Sequence, residues 1–216
     1  MEIVVLLHGL VRTSRCMRTI EQSFKEDGFE VANLDYPSTK HPIEKLAEMV
    51  LKEIVPLAQK YSKIHFVTHS MGGIVTRCLL KHHRDEVPVG RVVMLAPPNK
   101  GSEIVDWLGW LWFFKLLNGQ AGRQLHSKHG LPGQLGPADF ELGIIMGDRK
   151  NINFIFSPLL PGENDGKVTV ESAKLEGMKD FLLMPVSHAF IMHDQEAIGQ
   201  AKHFLRHGEF ERELGS

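Results

Sequence analysis

Only two cysteines, Cys16 and Cys78, occur in the 216 residues. They stand far apart in helix-like sequence, which excludes a disulfide framework or a thiol metal site, and both are read as free thiols. Charge of one sign is also missing. With 25 Lys and Arg against 26 Asp and Glu, the formal net charge is -1. That balance gives no general drive toward nucleic acid or an anionic membrane. Long apolar runs are absent: the most apolar stretch, Ile104 to Leu117, is too short for an ordinary membrane span and contains Asp106 and Lys115. Met1-Glu2 leads straight into Ile3-Val4-Val5-Leu6-Leu7 with no basic segment before it, so no signal peptide is read and a cytoplasmic location is expected. Among the 12 histidines no pair has zinc spacing with a third ligand nearby, so no zinc site is expected. His82 and His83, on a charged helix end, are read as solvated.

What is present is an ordinary globular composition, 43% hydrophobic and 24% charged, in a chain long enough for one sizeable core. No repeat or Pro, Gly and Ser linker divides it, so residues 1–216 are read as one domain. Continuous apolar runs predict strands at Ile3 to Leu7, Phe29 to Leu34, Ile64 to Thr68, Val92 to Ala96, Leu142 to Met146 and Phe181 to Met184. Helical spacing falls between them: Met17, Ile20 and Phe24 within Ser14 to Lys25, and then Ile43, Leu46, Ala47, Val50, Leu51 and Ile54, with Pro56 perturbing the end. Met71 to His82 and Gln195 to Arg206 predict two more helices. This alternation means an α/β fold with a predominantly parallel sheet of about six strands and helices on both faces. Ligands of such sheets bind at the carboxyl ends of the strands, where His8-Gly9-Leu10, Ser70 and Pro97 to Ser102 should meet.

Ser70 lies in Thr68-His69-Ser70-Met71-Gly72-Gly73, where an apolar strand gives way at once to a helix. The pattern is close to G-x-S-x-G, with Thr68 in place of the first glycine. A serine hydroxyl is a weak nucleophile until a base takes its proton, and a sharp strand–helix turn would hold it above the sheet. The plainer reading is a strand–helix junction with Ser70 as N-cap. Acyl transfer also needs backbone N–H groups for the developing oxyanion. The turn would supply that of Met71, and the loop after the first strand that of Leu10.

In chain order the acid and then the base should follow Ser70. Asp85, Asp106, Asp139, Asp148, Asp165, Asp180 and Asp194 all come later. Asp148 directly follows the predicted fifth strand. Asp165 sits in a polar loop that runs into an extended segment, and Asp165-Gly166 read alone is a turn. For the base, His188 follows the last strand through Pro185-Val186-Ser187, whereas His193 lies nearer the final helix. His188 is favoured.

These residues, in this order, make the chain resemble the lipase/esterase branch of the α/β-hydrolases. It looks most like compact bacterial lipase-like proteins that begin at the strand carrying His-Gly. The resemblance spans nearly the whole length. It includes His8-Gly9-Leu10, Tyr36-Pro37-Ser38, Thr68 to Gly73, Pro98 to Ser102, Asn164 to Ser172, His188 and Phe204 to Gly208. It implies Asp165 as the acid and a Ser70, Asp165 and His188 triad that works without a cofactor. Leu10 and Met71 would form the oxyanion hole, and His8, Gly9, His69 and Trp107 would contact substrate. The implied activity is carboxylic ester hydrolysis through an acyl-enzyme. The departure at Thr68 bears on the packing of the elbow.

The stretch Ile104 to Leu117 holds all three tryptophans, and is read either as a core helix or as a lid and acyl-chain wall. With Asn118 to Pro137 it makes residues 101–137 a substrate-covering excursion. The expected partner is a small acyl ester or lipid, with weak membrane-surface contact and no nucleic acid; oligomeric state is left open. The same triad also serves thioesterases, amidases and acyltransferases. From other classes, a non-catalytic binding protein of the same fold and a membrane-surface interaction module remain as readings.

Overall fold

The structure, a computed structural model, describes residues 1–108, 119–127, 129–149 and 160–212. The second half of the expected tryptophan helix lies outside the described residues. Six apolar runs become strands: β1 Glu2–Leu7, β2 Val31–Leu34, β3 Lys63–His69, β4 Val89–Leu95, β5 Leu142–Gly147 and β6 Asp180–Met184. They form one sheet in the order β2-β1-β3-β4-β5-β6, and every pair is parallel. Both faces of the central strands are covered, so Val5, Leu6 and Leu7 are all wholly buried despite alternating sides.

The main helices are α1 Arg18–Glu26, α2 Ile43–Lys60, α3 Met71–His83, α4 Glu103–Leu108 and α5 Gln195–His207. From β1 the chain moves one way to β2, then returns across β1 to reach β3 and β4. Right-handed crossovers therefore put α1 on one face and α2 and α3 on the other. The packing agrees: α2 lies against α3, and α1 against α5. Ile20 and Phe24 anchor α1 as fully buried residues, each contributing about 1.5–3 kcal/mol by burial.

Three local expectations change. Ser14–Met17 is a separate 3-10 turn before α1. Pro56, expected to perturb the end of α2, lies inside it, and the helix continues to Lys60. The ring's fixed φ suits a helix, six buried residues hold the preceding turns, and Tyr61 N–H still reaches Leu57 O at 2.8 Å. After Asp165 the expected extended segment does not form: residues 165–168 are bent, with Gly166 at φ 96°, and Thr169, whose side chain accepts from Ser172 N–H, caps a helical turn, Val170–Ala173.

The reversal of direction between β1 and β3 leaves a crevice beyond their carboxyl ends. The loop from His8 and the turn at Ser70 stand on either side of it. No described helix is long and apolar enough to cross a membrane.

Candidate active site

Ser70 occupies the left-handed region at φ 53°, ψ −124°, a conformation that costs a non-glycine residue about 1–3 kcal/mol. Its surroundings enforce it. Ser70 N–H donates to Leu95 O on β4 at 2.8 Å, and Gly73 N–H returns to Ser70 O at 3.0 Å. A Cβ on Gly72 would stand 2.6 Å from Leu7 O and 2.8 Å from His8 O, so glycine lets α3 begin against the end of β1. Thr68, in the place of the motif's first glycine, is buried, and its hydroxyl has no partner among the described residues. A Cβ on Gly73 would come within 3.3 Å of that hydroxyl. The second glycine of the pair thus leaves the room that the threonine fills.

On the other flank, Asp165 and His188 are both buried. His188 Nε2 lies 3.2 Å from Ser70 Oγ, and His188 Nδ1 lies 2.7 Å from Asp165 Oδ2. Asp165 Oδ1 accepts the N–H groups of Lys167 at 2.9 Å and Val168 at 2.8 Å, which fixes the carboxylate plane. His188 N–H also donates to Asp165 O at 3.0 Å. A carboxylate only accepts, so Nδ1 carries the proton and Nε2 turns its lone pair to the serine. The structure therefore brings Ser70, His188 and Asp165 into one hydrogen-bonded chain. It does not bring in Asp148, which is exposed at the end of β5, or His193, whose Nδ1 lies 2.8 Å from Thr19 Oγ1 on α1.

Leu10 and Met71 leave their backbone N–H groups without an acceptor among the described residues. Their loops touch: a Cβ on Gly9 would lie 3.1 Å from the Ser70 Cβ. His8 was expected among the substrate contacts, but its ring is wholly buried and takes another part. Nδ1–H donates to Gly9 O at 2.9 Å, Nε2 accepts Tyr36 N–H at 3.3 Å, and the ring stacks on Tyr36 at 4.2 Å. Asp35 Oδ1 is 3.3 Å from Nε2; burial nonetheless outweighs it and pushes His8 below its ordinary pKa, so the contact is not an ion pair at neutral pH. Tyr36 also donates its hydroxyl to His8 O. That tyrosine, quoted above only within a motif, is what holds the loop.

His69 is buried beside His188. Its Nε2–H donates to His188 O at 3.1 Å, the rings are 4.9 Å apart, and Nδ1 has no partner. Burial first, and then the charge of His188, push its pKa well below the ordinary value, so it stays neutral. Trp107 stands on α4 and is 59% exposed.

The loop after β4, expected at this edge, and Arg77, which carried no signal of its own, stitch the neighbouring loops together. Asn99 Nδ2–H donates to Ala173 O at 2.8 Å, and Lys100 N–H to Ser172 O at 2.9 Å. These bonds join the loop after β4 to the segment that follows Asp165. Arg77, buried on α3, donates to the carbonyls of Asn99, Pro132 and Gly136 at 2.9, 3.0 and 2.8 Å. Burial pushes its pKa down to about 10. The excursion reaches across the strand ends, since a Cβ on Gly119 would collide with Thr39 O at 1.8 Å. Among the described residues no group of three His, Cys, Asp or Glu side chains could hold a metal ion.

A strained serine at a strand–helix turn, joined to a buried histidine and aspartate at the carboxyl edge of a parallel sheet, defines a class. A profile of the alpha/beta hydrolase family matches residues 4–185. The chain belongs to that family. No curated protein matches it. Among solved structures it is similar to Bacillus licheniformis lipase BlEst2 in mature form, at 20% identity and TM-score 0.78 over 94% of this chain and 91% of that one. It is similar to phospholipase PlaB from Legionella pneumophila at 18% identity and TM-score 0.70, covering 87% of this chain and 54% of that one. A metagenomic carboxyl esterase, MGS0156, aligns at 18% identity and TM-score 0.64 over 88% and 65% of the two chains. At these identities the likeness is one of fold.

Proposed function

We propose that the protein is a serine hydrolase that cleaves carboxylic acyl esters. The observation that carries this reading is the chain of contacts from Ser70 Oγ to His188 Nε2 at 3.2 Å and from His188 Nδ1 to Asp165 Oδ2 at 2.7 Å. His188 takes the hydroxyl proton as Ser70 Oγ attacks the ester carbonyl. Asp165 holds the imidazole in the required tautomer and stabilises its cation. The N–H groups of Leu10 and Met71 receive the oxyanion. Collapse of the tetrahedral intermediate breaks the bond to the alcohol, which leaves with the proton from His188. Water, activated by the same histidine, then releases the acid and restores Ser70. The lipase, phospholipase and carboxyl esterase that share this fold are consistent with an ester or lipid substrate. Treatment with a fluorophosphonate tests the reading. The expected result is one covalent adduct on Ser70 that is absent from Ser70→Ala; intact protein that takes up no label would sink it.

A further inference from the structure

A second cleft opens on the same edge of the sheet. It has a volume of about 740 Å3 and lies between the loop after β1, from Val11 to Cys16, and the loop after β2, from Asp35 to Lys40. Its charged lining is Arg12, Arg15, Lys40 and Asp35. The three cations are exposed, and none has a carboxylate or other polar partner among the described residues. Elsewhere Lys25, Lys45, Arg91, Lys179 and Arg212 each pair with an acid. Asp35 is already engaged by Ser14 N–H at 2.7 Å.

The cleft adjoins the candidate active site through one short loop. Gly9 packs on Ser70, Leu10 offers its free N–H, and Val11, the next residue, is held at φ 56° with its side chain turned to solvent and forms part of the cleft wall. Arg12 is near enough for its charge to act on His69 and Lys167. Lys167, although part of its side chain meets solvent, is pushed below its ordinary pKa by surrounding protein atoms first and by Arg12 second. Cations gathered this way repel one another until an anion sits among them. Two guanidinium groups and an ammonium around one cleft suit a phosphate, which arginine binds through two parallel hydrogen bonds.

We propose that Arg12, Arg15 and Lys40 form an anion subsite that selects acyl esters bearing a phosphate on the alcohol portion. This deepens the ester-hydrolase reading and rests on it for the chemistry, while binding can be measured without it. The test uses a 1-acylglycerol and the corresponding 1-acylglycerol 3-phosphate, with the same short acyl chain and below micelle-forming concentration. The phosphate ester should have the higher kcat/KM, by about tenfold or more at low salt, with the ratio falling as sodium chloride is raised. The triple variant Arg12→Gln/Arg15→Gln/Lys40→Gln should bring the ratio close to one, and Lys40→Gln alone should lower it part of the way. Equal or poorer hydrolysis of the phosphate ester, or an advantage that survives the triple variant, would overturn the subsite. Ser70→Ala, titrated calorimetrically with the same two compounds, separates the two readings. Tighter binding of the phosphate ester with no turnover by the intact protein would leave the subsite standing and count against hydrolysis. Equal binding of the two would overturn the subsite whatever the turnover.

Discussion

The two halves of the candidate site are built by different means. The half around β1 and β3 is made of backbone: a strained Ser70, glycines that let strand and helix touch, and a loop held by buried His8 and Tyr36. The half beyond β5 and β6 is made of side chains on loops, with Asp165 fixed by two N–H groups and His188 held between Asp165 and a neutral His69. Backbone strain holds a nucleophile in one place because few other conformations are open to it. Hydrogen bonds hold an acid and a base in one tautomer because each atom has a defined role. The first half should therefore fail through packing, and the second through chemistry with the fold intact.

The largest effect expected from this contrast is at Asp165. In Asp165→Asn the side-chain oxygen can still accept from Lys167 and Val168, but the amide presents a donor to His188 Nδ1 and forces the wrong tautomer. Ester turnover should fall by about 10³–10⁴ in kcat, with an urea midpoint close to that of the parent. A variant that unfolds instead would make Asp165 a structural residue and erase the distinction between the halves.

Gly72→Ala should do the opposite. Its Cβ would meet the backbone oxygens of Leu7 and His8, which have no room to retreat within the sheet, and overpacking of this kind costs about 1–3 kcal/mol. Urea unfolding should show that loss with m unchanged. A neutral result would mean that the elbow is looser than its contacts imply.

A smaller effect is expected from pH, and it too belongs to the backbone half. His8 and His69 both have pKa values lowered in the folded protein, by burial above all. Below their unfolded value of about 6.5, the unfolded chain therefore binds protons that the folded chain does not. Stability is present above that pH and declines as pH falls through it, by up to about 1.4 kcal/mol per pH unit for each histidine. Urea titrations at pH 7, 6 and 5 should show the decline. His69→Gln should remove part of the slope, and an identical slope in that variant would mean that His69 is free to protonate in the fold.

The same contrast governs what could be read from the sequence. The strands were legible because both faces of the sheet are buried and each run is continuously apolar. The turn at Ser70 was legible because strain and close approach select residue types, here a serine with two glycines close behind it. Thr68 fitted the pattern less well, since the space it fills belongs to Gly73, five residues on, and only the folded turn shows them touching. Asp165 and His188 were placed by chain order and by family likeness; spacing alone left Asp148 open, because no local rule says which loop carboxylate will reach an imidazole 23 residues away. His8 looked like a substrate contact by its position at a strand end, and the Tyr36 ring that covers it comes from another strand's loop. The helical turn after Thr169 was hidden by a β-branched run, and Pro56 suggested a perturbed end where α2, held by its buried face, runs on to Lys60. Arg77 gave no signal: its partners are carbonyls of distant loops, which every sequence contains.

The central claim is that Ser70 becomes covalently acylated. Rapid quenching of the protein in acid, milliseconds after mixing with a p-nitrophenyl ester, followed by peptide mass analysis, tests it directly. The account predicts that the peptide containing Ser70 gains the mass of the acyl group, alongside a burst of nitrophenol, and that Ser70→Ala shows neither. Turnover of the ester with no acyl mass on Ser70, or with the mass on another residue, would contradict it.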